Sequence, residues 1–222
     1  MSSLKINKGE TLERVFLNEP SLDLHIMQEA GSSLRIGVIN IPNTTDEIIN
    51  RIRVEQLGEG CRTEIYGLAY LHGEEKVTIE THVLHAVGGG SSNQLIKFVL
   101  DDNAKGHFVG DLKIAQDAQK TEAHQTNRNL VLSEEATMRT QPQLEIYADD
   151  VQATHGASTG QLDETALFYM RQRGIAKKKA RQLLVNAFMK EVIDKMPVID
   201  RDLSKEEPVL ASLLNTIDGV VE

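Results

Sequence analysis

Polar and apolar positions alternate along most of this chain before residue 150, and the period then changes. LDLHIM, SLRIGVINIP, EIYGLAYL, KVTIETHVLHAV, NQLIKFVL, GHFVGDLKIA, NRNLVL and QLEIYA place apolar residues at every second position, the mark of strands with one buried face. Gly, Asp, Asn or charged pairs separate these runs at intervals of about ten residues. Short strands so spaced fit a sandwich, a barrel or a parallel β-helix. Tight Asn-Gly and Asp-Gly turns are nearly missing, which tilts the balance away from an antiparallel meander. Residues 1–60 are less regular: LKINKG joins LDLHIM and SLRIGVINIP as short strands punctuated by Gly9, Pro20, Gly31 and Pro42. The segment TTDEIINRIRVEQLGEG reads either as a helix capped by Thr44 or Thr45 or as a strand.

The change of period falls between Gln143 and Arg173, in QLEIYADDVQATHGASTGQLDETALFYMRQR. The stretch opens as a strand and ends as a helix. Between them lie Asp149 and Asp150, then His155 among the small residues Thr154, Gly156, Ala157 and Ser158, then Gly160. Asp163 is a good N-cap, Leu162 and Leu167 hold the positions of a hydrophobic staple, and Gly174 suits a left-handed stop. A second helix is expected from about Lys177 to Lys195, ended by Pro197. Its apolar stripe is read as Ala180, Leu183, Leu184, Ala187, Phe188, Glu191 and Val192. A third, short helix is expected around Pro208–Thr216. The division is thus a β core over residues 1–160 and a helical domain over 161–222.

Composition narrows the function classes. Of 222 residues, 40% are hydrophobic but only 4% aromatic, with no Trp; the core must be built from Leu, Ile, Val and Ala. A formal charge of −9, from 33 acidic against 24 basic residues, argues against nucleic acid as a partner. The basic cluster Lys177–Lys179 with Arg181 reads as a solvated helix face, or as a contact for an acidic partner. A single cysteine, Cys61, excludes a disulfide framework and fits a reducing compartment. No apolar run has the length of a membrane span, and the N-terminal residues lack a secretory apolar region, so the expected location is the cytoplasm.

Candidate chemistry is sparse. No GxxxxGK[ST] phosphate loop occurs, and Gly88–Gly89–Gly90–Ser91–Ser92 lacks its lysine and reads as a turn. His82 and His85 would point to opposite faces of a strand. Cys61 has no CxxC companion for a self-contained metal or cluster site. Asp149 and Asp150 read as strand-end residues rather than paired catalytic carboxylates. By its residues alone, His155 is a turn histidine satisfied by the backbone or by Asp149 and Asp150.

Two long motifs, PQLEIYADDVQATHGASTGQLDETALFYMRQRGI and QDAQKTEAHQTNRNLVLSEEAT, with a weaker third, THVLHA, resemble the SufB/SufD family of the SUF iron–sulfur cluster assembly system. The SufD branch is the better match. The resemblance implies a right-handed parallel β-helix core followed by C-terminal helices, and a non-catalytic scaffold subunit that pairs with a SufB-type subunit and docks a SufC-type ABC ATPase. Pairing of the chain with itself in isolation is a further expectation. By the same resemblance, the HGAS motif places His155 as a candidate iron or cluster ligand at the subunit interface. Phe168, Tyr169, Arg171, Arg173 and Gly174 fall in the ATPase-docking region. No cofactor is expected on this chain alone, only a transient iron–sulfur cluster at a shared interface. Two departures reduce the ligands available. Ala153 stands where many SufD-type sequences carry a cysteine, and Gly88–Gly90 replaces a segment that bears one in relatives. The resemblance also implies that this chain lacks most of an N-terminal region found in SufD-type proteins. A cluster-carrying SufB-type subunit is the alternative, disfavoured by the lone cysteine. A β-helix enzyme acting on polysaccharide is disfavoured by the few aromatic residues.

Overall fold

A computed structural model of the chain describes residues 2–197. Strands β1 (Ser2–Ile6), β3 (Ser21–Gln28), β5 (Ile48–Gln56), β7 (Lys76–His85), β9 (Lys105–Ile114) and β11 (Thr137–Ile146) form one parallel sheet in that order. Strands β2 (Thr11–Leu17), β4 (Ser33–Asn40), β6 (Arg62–Leu71), β8 (Ser91–Leu100), β10 (Thr121–Val131) and β12 (Val151–Gly160) form the other. Each turn of the chain thus lays one strand on each sheet, and the result is a two-sheeted β-solenoid. Side chains 29 or 30 residues apart meet across neighbouring rungs, as in Arg51–Glu80 and Arg53–Asp23.

Strand alternation produces the interior. One face of every strand points between the sheets, so equivalent positions stack into columns. Ile26, Val54, Val83, Leu112 and Leu144 form one column, and Leu22, Asn50, Ile79, Phe108 and Thr140 another. One corner repeats on successive rungs. Gly31, Gly60 and Gly89 all have φ of 67–68°, and each donates its N–H to the corner one rung on, at Glu59, Gly88 and Gln119. Only glycine enters this conformation without a steric cost, which explains the glycine-rich run at residues 88–90: it is a turn, as its composition suggests.

The helices follow the strands. In α1 (Glu164–Gln172) the Asp163 carboxylate accepts from the N–H groups of Thr165 and Ala166, and Leu167 is buried. Gly174, at φ +83°, ends the helix. Its N–H reaches the Arg171 carbonyl while that of Ile175 reaches Met170, the Schellman arrangement. Helix α2 (Lys177–Ile193) lies on the outer face of the even-numbered sheet. There it covers Tyr66, Leu68, Leu95, Val99 and Leu130.

Several expectations change. TTDEIINRIRVEQL contains strand β5, not a helix; the alternation of Ile48, Asn50, Ile52, Val54 and Gln56 is buried on one side. Strands β2 and β12 were not anticipated, and β10 begins well before NRNLVL. Of the expected stripe, Ala180 and Val192 are buried, but the buried face also carries Gln182, Val185 and Met189, continued by Met196, whereas Leu183 is 40% exposed and Ala187 and Glu191 are exposed. The expected stripe is therefore rotated. The sheet presents a strip of Tyr and Leu side chains, and long, unbranched Met189 and Met196 fill it better than alanine. Full burial of each such side chain contributes roughly 1.5–3 kcal/mol. The expected helix at Pro208–Thr216 lies outside the described residues.

Candidate functional site

The even-numbered sheet ends at β12 and the odd-numbered sheet at β11, so the last rung leaves two strand edges side by side. Among the described residues each pairs on one side only, with β10 and β9 respectively. Pro142 sits inside β11, tolerated because an edge strand has no further neighbour to receive the missing N–H. The interior-facing residues of this rung are correspondingly uncovered: Ile146 is 43% exposed.

His155 belongs to this rung. It is not in a turn; it stands in the middle of β12, stacked in register on Gln125 of β10, which stacks on Gln94 of β8. Gln94 and Gln125 are buried, so the register puts His155 on the side that faces the solenoid interior. Its ring is exposed because the rung is the last described. Asp149 and Asp150 lie in the corner between β11 and β12, where the Asp150 N–H is bound by the Gln119 side chain and the Asp150 carbonyl accepts from Lys120. Among the described residues neither aspartate hydrogen-bonds the histidine.

The remaining histidines are structural or superficial. His85 is fully buried, with Nε2 2.8 Å from Ser92 Oγ, and burial alone pushes its ring down to about 4. His82, on the opposite face, lies 3.5 Å from Asp111. Cys61 is enclosed, its thiol donating to the carbonyls of Glu29 and Gly58 at 3.1 Å. No three His, Cys, Asp or Glu side chains converge into a metal site among the described residues.

A second surface lies at the α1–α2 corner. Phe168 and Tyr169 are 62% and 56% exposed, and the Arg173 guanidinium stands 4.7 Å over the Tyr169 ring. Phe168, Arg171, Gly174, Ile175 and Lys177 line a groove of about 420 Å³. Helix α2 opens there without a side-chain cap or an acidic residue in its first turn. Lys177, Lys178 and Lys179 therefore add to the positive end of the helix dipole rather than offset it. The five residues picked out around Gly174 thus fall on one exposed corner, and His155 on a separate open edge.

A third feature escaped the sequence: Lys97, on the outer face of β8, is 1% exposed beneath α2. Its ammonium donates to the Phe188 carbonyl at 2.6 Å and to Glu191 Oε2 at 2.5 Å, and lies 4.2 Å from the Phe188 ring. Burial lowers its pKa, opposed by the bond to Glu191. No helix of the described residues is long and apolar enough to cross a membrane.

Comparison with known proteins gives a consistent result. The family model described as the SUF system FeS cluster assembly, SufBD core domain, matches residues 23–188. An iron-sulfur cluster assembly SufBD family protein of Synechocystis is 39% identical over 67% of this chain and 33% of its own length. The iron-sulfur cluster assembly protein SufD of Escherichia coli is 36% identical over 73% of this chain and 37% of its own. SufD of Bacillus subtilis is 32% identical over 73% and 36%. The chain therefore spans about a third of the length of these relatives. Its matched region nonetheless includes the solenoid from β3 onward, His155 and most of α2, and the chain belongs to the SufBD core family, similar to its SufD-type members.

Proposed function

We propose that this chain is a non-catalytic scaffold subunit of SUF iron–sulfur cluster assembly, acting through two surfaces. The open rung of β11 and β12 pairs with a SufB-type subunit, and the α1–α2 corner docks a SufC-type ATPase. The observation that carries the reading is the position of His155: on a strand edge that has no pairing neighbour among the described residues, on the interior-facing side of the last described rung. Paired edge strands would satisfy the free N–H and C=O groups, and would bring a partner's side chains next to the imidazole. A neutral imidazole is a suitable iron ligand, so His155 supplies one ligand to a transient cluster, the cargo of the system, and the partner supplies the rest. The enclosed thiol of Cys61 takes no part. At the other surface, exposed Phe168 and Tyr169 flanked by Arg171, Arg173 and the three lysines suit a partner with an apolar anchor and an acidic rim.

The test is co-purification with SufB-type and SufC-type partners, comparing wild type, His155→Ala and Phe168→Ala/Tyr169→Ala. The reading expects the complex to form with His155→Ala but with reduced iron–sulfur loading, and expects the aromatic double variant to lose the ATPase while retaining the other subunit. Unchanged loading in His155→Ala removes the ligand role. Failure of wild type to bind either partner removes the whole reading.

A further inference from the structure

One interior column changes chemistry along the solenoid. Ile36, Ile65, Gln94, Gln125 and His155 stack in register from β4 to β12. The first two are apolar. Gln94 and Gln125 are 0% and 1% exposed, yet none of their four amide nitrogen and oxygen atoms has a hydrogen-bond partner among the described residues. The hydroxyl of Thr81, on the facing sheet, is in the same condition. Across from Gln125 stands Gly110, where a Cβ would overlap the Gln125 amide and lie 2.6 Å from the Phe108 ring. The amide therefore fills space that any side chain at residue 110 would take.

The contrast with the other interior glutamines is informative. Gln28 donates to the Ser32 and Arg62 carbonyls, and Gln56 to Thr63 Oγ1 and the Ser91 carbonyl. Those amides donate to protein groups, although Gln56 Oε1 is itself without a partner among the described residues; in Gln94 and Gln125 neither the nitrogen nor the oxygen has one. In-register glutamines can also bond to one another as an amide ladder, but these two do not. Buried polar groups without a protein partner are normally satisfied by ordered water. This column leads to the one interior position in the chain where a histidine reaches the open rung.

We propose that Gln94, Gln125 and His155 form one hydrated hydrogen-bond file along the solenoid axis, with Gln125 as a positioning residue. Through ordered water it holds the inward ring nitrogen of His155 and leaves the other nitrogen free at the open rung. The file gives the interface histidine a fixed tautomer before any partner arrives, as the second ring nitrogen of a metal-bound histidine ordinarily requires. Its purpose rests on the reading of His155 as a ligand; its existence does not.

The experiment is ring ¹⁵N NMR on the full chain, with the His155 signals assigned by their loss in His155→Ala. Gln125→Met keeps the volume and removes a buried amide, so the fold should survive. The expected result is that Gln125→Met moves the His155 ring signals toward those of histidine in an unstructured peptide, while Gln125→Asn restores them. Signals unchanged in Gln125→Met overturn the proposal. Wild type provides a second reading that needs no variant: magnetisation transfer from long-lived water to the Gln125 side-chain amide is expected, and its absence overturns the proposal equally. A loss of the ligand role in the loading assay would leave both NMR results intact, so the two failures are distinct.

Discussion

Lys97 and Glu191 are 94 residues apart in sequence and 2.5 Å apart in space, and they pin α2 to the sheet. The lysine is fully enclosed while the glutamate side chain is 40% exposed and also bonds Arg128. Loss of Glu191 strands a buried ammonium, whereas loss of Lys97 removes the group that needs a partner. Glu191→Ala should cost about 1–3 kcal/mol, below what a fully buried pair would lose, because the carboxylate is part solvated and the ammonium keeps its bond to the Phe188 carbonyl. Lys97→Met should cost less. Urea unfolding midpoints of the two variants check the order; equal or reversed losses would show that the pair does not anchor the helix.

His85 provides a pH prediction. Its ring stays neutral in the folded chain because burial pushes it down to about 4, while the unfolded chain binds the proton near 6.5. The stability it contributes is therefore complete above about pH 6.5 and is lost as pH falls toward 4, to a total of about 3 kcal/mol. His85→Gln would extend the stacked column of Gln28 and Gln56 without a titrating group. Between pH 7 and pH 4, wild type should lose about 3 kcal/mol more than this variant. Parallel pH profiles would contradict the assignment.

Gly58 cannot carry a side chain. A Cβ there would overlap the backbone nitrogen of Ala30 and lie 2.5 Å from its Cα. Both are main-chain atoms of a stacked corner and cannot move alone, so Gly58→Ala should destabilise by about 2–3 kcal/mol. Thermal unfolding of the variant measures it, and a melting temperature equal to wild type would show that the corner yields.

Gly174 is the opposite case. Nothing lies within 4 Å of its Cβ position, but its φ is +83°, so the cost of a side chain is conformational alone. Gly174→Val should lose roughly 1 kcal/mol or more. Gly174→Asn should lose less, since asparagine enters the left-handed region more readily. Calorimetry on the two variants separates this from a packing defect, which would not follow that order.

Legibility of the fold in the sequence followed the chemistry of the interior. Strands β3, β4 and β6 to β9 carry mostly aliphatic residues inward and read as alternating runs, whereas β5 also fitted a helix. Strand β12 and the first half of β10 carry Gln125, Asn127, His155 and Thr159 inward instead, so their alternation has no hydrophobic contrast. Hence VQATHGASTG looked like a turn. The asparagines there bond to each other and to the Ile96 carbonyl, a compensation no pattern of hydrophobicity records. Caps were legible because they depend on a few adjacent residues: Asp163 and Gly174 act as their types suggest. The buried face of α2 was legible only in part, at Ala180 and Val192, because the rest is chosen by the strip of Tyr66, Leu68, Leu95 and Val99 beneath it. The motif around His155 identified the family, but its place on an open edge required the register.

The cover that α2 provides over the outer face of the sheet has a consequence for synthesis. Lys97 meets the Phe188 carbonyl across 91 residues, and Tyr66, Leu68 and Leu95 wait as long or longer for Val185 and Met189. At a translation rate of about 5–20 residues per second, roughly 5–20 seconds separate these partners, during which the strip is bare while the later rungs are still being added. During that interval the nascent chain offers a sticky surface with an unpaired lysine within it, so a chaperone would act between the coiling of the first rungs and the emergence of α2.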